Sequence, residues 1–187
     1  MIELSVLLWS GAAFFAYVGF TRGYVKEVIS LAGIMLGLFA LHEFDPLIRG
    51  NLLATLPPDQ RFYVQAALFL LIVLFAYQTR ALGGESTPSS GGRGRDSGRG
   101  QGQNRALGAL VGLVNGLMIG GSLWNFLILN QVGGRYPLDP YVIAPVPGSP
   151  SAAIVANLPL NLLTSPGSGD LLSLLVVVLF VIVLILI

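Results

Sequence analysis

Five runs of apolar residues, roughly 4–20, 25–41, 62–79, 106–129 and 171–187, dominate this chain. About 20 helical residues cross a hydrocarbon layer ~30 Å thick, and the runs approach that length. Inside lipid every backbone N–H and C=O must be satisfied internally, which leaves helices or closed barrels. The last run, LLSLLVVVLFVIVLILI, is rich in Val and Ile, yet it lacks the alternation of a barrel strand and no other run supplies one. Composition points the same way. Of 187 residues 54% are hydrophobic and 10% charged, where a soluble domain carries about 25% charge. The fold class that follows is an all-α polytopic membrane protein, with four to five transmembrane helices around a tight glycine-rich core.

The same composition excludes much chemistry. Cysteine is absent, which removes disulfides, thiolate metal sites and cysteine nucleophiles. The net charge of +1 gives no reason to expect a nucleic-acid partner. The opening MIELSVLLWSGAAFFAYVGF lacks the basic n-region of a signal peptide, its only charge being Glu3, and reads as an uncleaved anchor. The single histidine, His42, stands beside Glu43 and Asp45 in HEFD. Those three ligand types fit no zinc spacing and read as an interfacial polar cap. No GxSxG, Walker, HExxH or EF-hand pattern occurs, and GGRGRDSGRG lacks the Lys-Ser/Thr of a phosphate loop. No catalytic, metal or cofactor-binding residue is assigned; the expectation is a non-enzyme without cofactor.

The chain divides into a membrane domain over 1–130, a Pro-rich surface segment over 131–170 with an interfacial stretch at 151–164, and a C-terminal transmembrane helix at 171–187. Residues 83–104, GGESTPSSGGRGRDSGRGQGQN, have the composition of a disordered loop. It is a flexible tether or, alternatively, an arginine patch on anionic lipid, at about 1 kcal/mol per basic residue. Arg22, Lys26, Arg80, Arg93, Arg95, Arg99 and Arg105 fall on one side of the membrane and Arg49, Arg61 and Arg135 on the other. The positive-inside rule makes the first side cytoplasmic. With all five runs crossing, the N-terminus is outside and the C-terminus in the cytoplasm.

Three charges, Arg22, Lys26 and Glu27, crowd into the turn between the first two runs. Gly19 and Gly23 permit a close bend there, and Glu27 near a helix start suits the helix dipole, where Lys26 and Arg22 can reach it. The simpler reading is a topology-setting cytoplasmic turn whose charges snorkel to headgroups. The other is a charged cluster lining a polar mouth of the bundle.

The fourth run carries the clearest pattern. Gly108, Gly112, Gly116 and Gly120 recur every four residues and form a bare ridge on one helix face. Such ridges let helices approach closely where lipid supplies no hydrophobic drive. Gly33 and Gly37 give the second run a similar notch, and Ser10, Gly11, Ala12, Ala13 and Ala16 thin the first. Runs one, two and four are expected to form the core, with three and five nearer lipid. Asn115 lies within the ridge segment, where an unpaired amide in hydrocarbon is costly; it reads as an interhelical hydrogen-bonding group or as part of a solute path. Gln65 and Asn125 read as interfacial.

GFTRGYVKEVISLAGIMLGLFAL, RFYVQAALFLLIVLFAYQTRAL and NRALGALVGLVNGLMIG together resemble the CvpA family, the bacterial colicin V production proteins. The pieces that carry the likeness are G-x-x-R-G-Y/F-x-K/R-E at residues 19–27 and L-G-A-x-x-G-L-x-x-G at residues 107–116. The resemblance covers about residues 1–130. It implies a multi-pass protein of the bacterial inner membrane that supports secretion, toxin production or solute passage. A structural accessory subunit of a larger membrane complex is the alternative. The partners implied are the lipid bilayer and either further copies of the chain or other membrane subunits.

Overall fold

The structure, a computed structural model, describes residues 3–78, 97–164 and 171–186. It is all-helical, and its sole extended pairing among the described residues is an isolated bridge between Val132 and Arg135. Four helices are long and apolar enough to cross a membrane: α1 (Leu4–Arg22), α2 (Tyr24–Glu43), α4 (Pro58–Gln78) and α5 (Ser97–Leu129). A short α3 (Asp45–Leu47) and a π-turn (Ile48–Leu52) follow α2. Beyond α5 come α6 (Pro150–Ala156), α7 (Pro159–Thr164) and α8 (Leu171–Leu186). The second run, at 20 residues, reaches spanning length. The described residues of α8 number 16, and α8 packs on α2.

The α1–α2 turn is made by one residue. Gly23 has φ +85° and ψ 164°, a region open essentially to glycine alone. Its N–H closes α1 on the Gly19 carbonyl at 2.9 Å. The Asn104 side chain accepts from the Tyr24 N–H at 2.9 Å, tying the turn to the beginning of α5.

Residues 97–104, expected to be part of a disordered loop, form the first turns of α5. Propensity alone disfavours this because Gly100 and Gly102 are poor helix formers. Elongation from the long apolar segment and the Asn104 tether outweigh them. Residues 83–96 of that loop lie outside the described residues. A methyl added at Gly100 or Gly102 meets nothing within 4 Å. Gly100→Ala and Gly102→Ala are therefore expected each to stabilise the protein by roughly 0.5–1 kcal/mol, read as a raised midpoint in detergent thermal unfolding.

The tightest seam in the bundle is between α1 and α5. A Cβ at Gly108 would strike the Gly19 carbonyl oxygen, and one at Gly112 the Phe15 carbonyl oxygen. At Gly116 it would come within 2.7 Å of the Ala12 Cα. Leu8 closes the row over Gly120. The ridge thus serves backbone-to-backbone approach to α1.

The notch on α2 serves a different neighbour. Cβ atoms at Gly33 and Gly37 would lie 2.6 Å from the Ala76 Cβ and the Ile72 Cγ2, both on α4. This corrects the expectation that the third run lies apart from the core. Phe69 of α4 is fully buried among Ile34 and Leu38 of α2 and Met118 and Phe126 of α5, with its ring 5.7 Å from Phe126 edge-on. Leucine-rich as it is, α4 has two faces, and Leu68, Leu70, Leu71, Leu74 and Phe75 form the outward one.

The stretch 151–164 breaks at Asn157 and Leu158 into α6 and α7. Ser149 caps α6, its side chain accepting from the Ala152 N–H at 3.2 Å. Ser151 bonds to Ser5 Oγ at 3.1 Å and reaches Glu3, which holds α6 against the beginning of α1. Leu158 is fully buried, and Pro159 seats on Gly121 of α5. The segment before it also packs inward: Tyr136 is buried and accepts a hydrogen bond from the Trp124 indole at 3.1 Å. Burial pushes the Tyr136 phenol above its usual pKa, and the indole donor opposes that shift.

Candidate functional site

The three hairpin charges have different fates. Lys26 is exposed, as a snorkelling residue would be. Arg22 and Glu27 turn inward instead, correcting the simple headgroup reading. Glu27 has no exposed surface, and the Arg22 side chain keeps 21% of its own. The reason lies in helix rotation: Glu27 sits about one turn into α2, on the face that meets Tyr77 of α4 and Asn115 of α5.

Three donors from three helices converge on the Glu27 carboxylate. Arg22 Nη1 of α1 donates to Oε1 at 2.6 Å. Tyr77 Oη of α4 and Asn115 Nδ2 of α5 donate to Oε2 at 3.1 and 2.8 Å. Asn115 Nδ2 also lies 3.2 Å from the Glu27 main-chain carbonyl. A carboxylate has about four acceptor positions, so three charge-assisted or neutral donors largely fill it.

Arg22 does a second thing. Its Nη2 donates to the Tyr77 carbonyl at 3.0 Å, and its Nη1 reaches Ser30 Oγ at 3.1 Å. The last four carbonyls of a helix have no partner within it, and α4 ends at Gln78. Arg22 thereby caps α4 with a cation, where the helix dipole favours one. Its guanidinium carbon lies 4.5 Å from the centre of the Tyr77 ring, adding a cation–π contact. Ser30 Oγ donates to the Lys26 carbonyl at 3.0 Å, with the Ala76 carbonyl 3.3 Å away. All four spanning helices meet in this clasp.

A second polar group sits at the opposite end of the bundle. Gln65 and Asn125, which the sequence reads as interfacial, are buried at 5% and 4% exposure. Asn130 donates to Gln65 Oε1 at 2.7 Å, and Asn125 donates to Asn161 Oδ1 of α7 at 2.5 Å. Arg49 lies 3.2 Å from Asp45 and 3.4 Å from Asn130. His42, Asp45, Gln65, Asn125, Asn161 and Thr164 line a pocket of about 210 Å³. Among the described residues no three His, Asp or Glu side chains are grouped to hold a metal ion; His42 and Glu43 point to the surface.

The two ends are well separated. Glu27 and His42 are 15 residues apart on α2, or about 22 Å. Between them α2 buries Ile34, Met35 and Leu38 against Phe69, Met118 and Ile119. Two buried polar atoms in this region, Asn115 Oδ1 and Ser122 Oγ, have no hydrogen-bond partner.

Sequence reasoning picks out Arg22, Glu27 and Asn115 and puts Arg22 within reach of Glu27, as the structure has it, but it does not bring Asn115 to them, and it misses Tyr77 and the role of Ser30. Tyr77 ends a leucine-rich run and lies 50 positions from the carboxylate that it meets. No local pattern marks it.

No curated protein and no solved structure matches the chain. The family model described as Colicin V production protein matches residues 4–133, a span that takes in all four long helices and both hairpin and ridge motifs. The chain therefore belongs to the colicin V production protein (CvpA) family, as a multi-pass membrane protein.

Proposed function

We propose that this chain is a non-catalytic protein of the bacterial inner membrane that supports secretion or toxin production as a packing scaffold, joined to further copies or to other membrane subunits. The observation that carries this reading is the closed clasp at Glu27. Its donors all come from within the bundle, and an apolar layer separates it from the polar pocket at the other end. A single bundle of this build is suited to holding shape rather than to passing solute.

The basic residues favour a cytoplasmic clasp. Arg22 and Lys26 share their side with the α4–α5 connection, which carries Arg80, Arg93, Arg95, Arg99 and Arg105. That bias does not depend on α8. The N-terminus is then outside, and a crossing α8 returns the C-terminus to the cytoplasm.

Asn115→Leu separates scaffold from conduit. As a scaffold contact, Asn115 contributes about 1 kcal/mol, and the variant should lose that much stability with secretion reduced only in proportion. A loss of solute flux at unchanged stability would overturn the scaffold reading. Native mass spectrometry of protein extracted in mild detergent then identifies the company it keeps. A homo-oligomer supports a self-contained secretion factor, and a stoichiometric set of other chains supports the accessory-subunit form.

A further inference from the structure

The α6–α7 segment enters the bundle and leaves it at the same end. At its start Ser151 bonds to Ser5 in the first turn of α1, and at its finish Thr164 borders the pocket of His42, Asp45 and Leu129. Between them the chain dips. Pro159 seats on Gly121, eight residues before Leu129 at the end of α5, which is about 12 Å at 1.5 Å per residue. A helix break at membrane depth needs protein to cover its backbone, and Leu158 at this break is fully buried.

Asn157, beside the break, is not covered. It is exposed, as are Ala153 and Ala156 at i, i+3 spacing on the same face of α6. Its Nδ2 donates to the Ala153 carbonyl at 3.1 Å. Its Oδ1 and its second amide hydrogen have no partner among the described residues. A cavity of about 360 Å³ opens beside it, walled by Leu8, Trp9, Leu117 and Ile154, and Asn157 brings the one side-chain amide to that wall.

The outward face of α4, with Leu68, Leu70, Leu71, Leu74 and Phe75, suits acyl chains. The α6 face does not. An amide with an open acceptor and an open donor is costly in hydrocarbon, and lipid tails offer it nothing. A neighbouring protein helix does, through a hydrogen bond across the interface. A carboxamide holds donor and acceptor in one group, so it complements itself. Two copies facing across a two-fold axis let each Nδ2 donate to the other Oδ1, and a single asparagine set in an apolar contact is known to fix register and copy number.

We propose that the exposed α6 face is the contact between two copies of this chain, closed by a reciprocal pair of Asn157 amides. The proposal rests on the scaffold reading above in the form that joins further copies, and it names the surface that joins them.

The chain has no cysteine, so Ala153→Cys and Ala156→Cys, made singly in the full chain, report the contact and leave the amide in place. Oxidised in native membranes, at least one should give a disulfide-linked dimer, whereas Leu70→Cys on the outward face of α4 should give none. Native mass spectrometry over a range of protein concentrations in mild detergent then follows the amide. Asn157→Leu should weaken the dimer about tenfold, and Asn157→Gln, which keeps donor and acceptor, should stay nearer wild type. If Asn157→Leu does not fold, the cysteine variants decide. No link at either α6 position, or an undiminished dimer of folded Asn157→Leu, would overturn this interface while a homo-oligomer joined elsewhere leaves the scaffold reading standing. Wild-type protein found only with other chains would overturn it as well and leave the accessory-subunit form.

Discussion

Gly112→Leu is expected to abolish the bundle in detergent, with a loss of about 3 kcal/mol or more. Overpacking usually costs less because a crowded side chain can change rotamer. Here the first atom met is the Phe15 carbonyl oxygen, and the Gly19 Cα lies 3.0 Å away. Main chain cannot swing aside, so α1 and α5 must part along their whole contact. Gly116→Leu should behave alike, since the Ala12 Cα stands 2.7 Å from its added Cβ. Gly37→Ala offers the contrast. Its obstacle is the Ile72 Cγ2 methyl and not main chain, so a small local shift of α4 can relieve it, and a loss within roughly 1–3 kcal/mol is expected. Thermal unfolding of the three variants in one detergent ranks them. Folded, wild-type-like Gly112→Leu protein would mean that the ridge faces outward, toward a partner.

The second large effect belongs to Glu27. Glu27→Leu strips Arg22, Tyr77 and Asn115 of their common acceptor at a site with no exposed surface. Breaking a buried pair from one side costs about 3–5 kcal/mol, and the 21% exposure of Arg22 places the expectation at the lower end of that range. Arg22 retains the Tyr77 carbonyl and ring as partners, which limits the loss further. Glu27→Gln keeps the shape and one acceptor, so it should fall between wild type and Glu27→Leu. Detergent thermal unfolding of both variants tests the order.

The spanning helices were legible because membrane crossing is a length-and-composition constraint that acts locally. The ridge Gly108–Gly120 was legible for the same reason: periodicity reports a face without knowing what covers it. What covers it was not. The notches at Gly33 and Gly37 suggested that α2 joins the glycine-lined seam, whereas they receive Ala76 and Ile72 of α4. A ridge has no address in the sequence. The clasp was half visible, since Arg22, Glu27 and Asn115 are conspicuous in so apolar a chain. Their convergence depends on helix rotation, and Tyr77 enters only once α4 is placed. The pocket was hidden further, because Asn125 and Asn161 meet across 36 positions through a helix that starts at a proline. Residues 97–104 misled through composition: glycine and serine predict disorder unless a long helix runs back into them.

The most direct test of the clasp as a structural lock is a double-mutant cycle of Arg22→Met and Glu27→Leu, read as unfolding free energy in one detergent. The account predicts that each single variant loses stability and that the double variant recovers part of it, with a coupling of about 1 kcal/mol or more. Single variants as stable as wild type, with additive effects in the double, would contradict it and leave the buried charges free for another task.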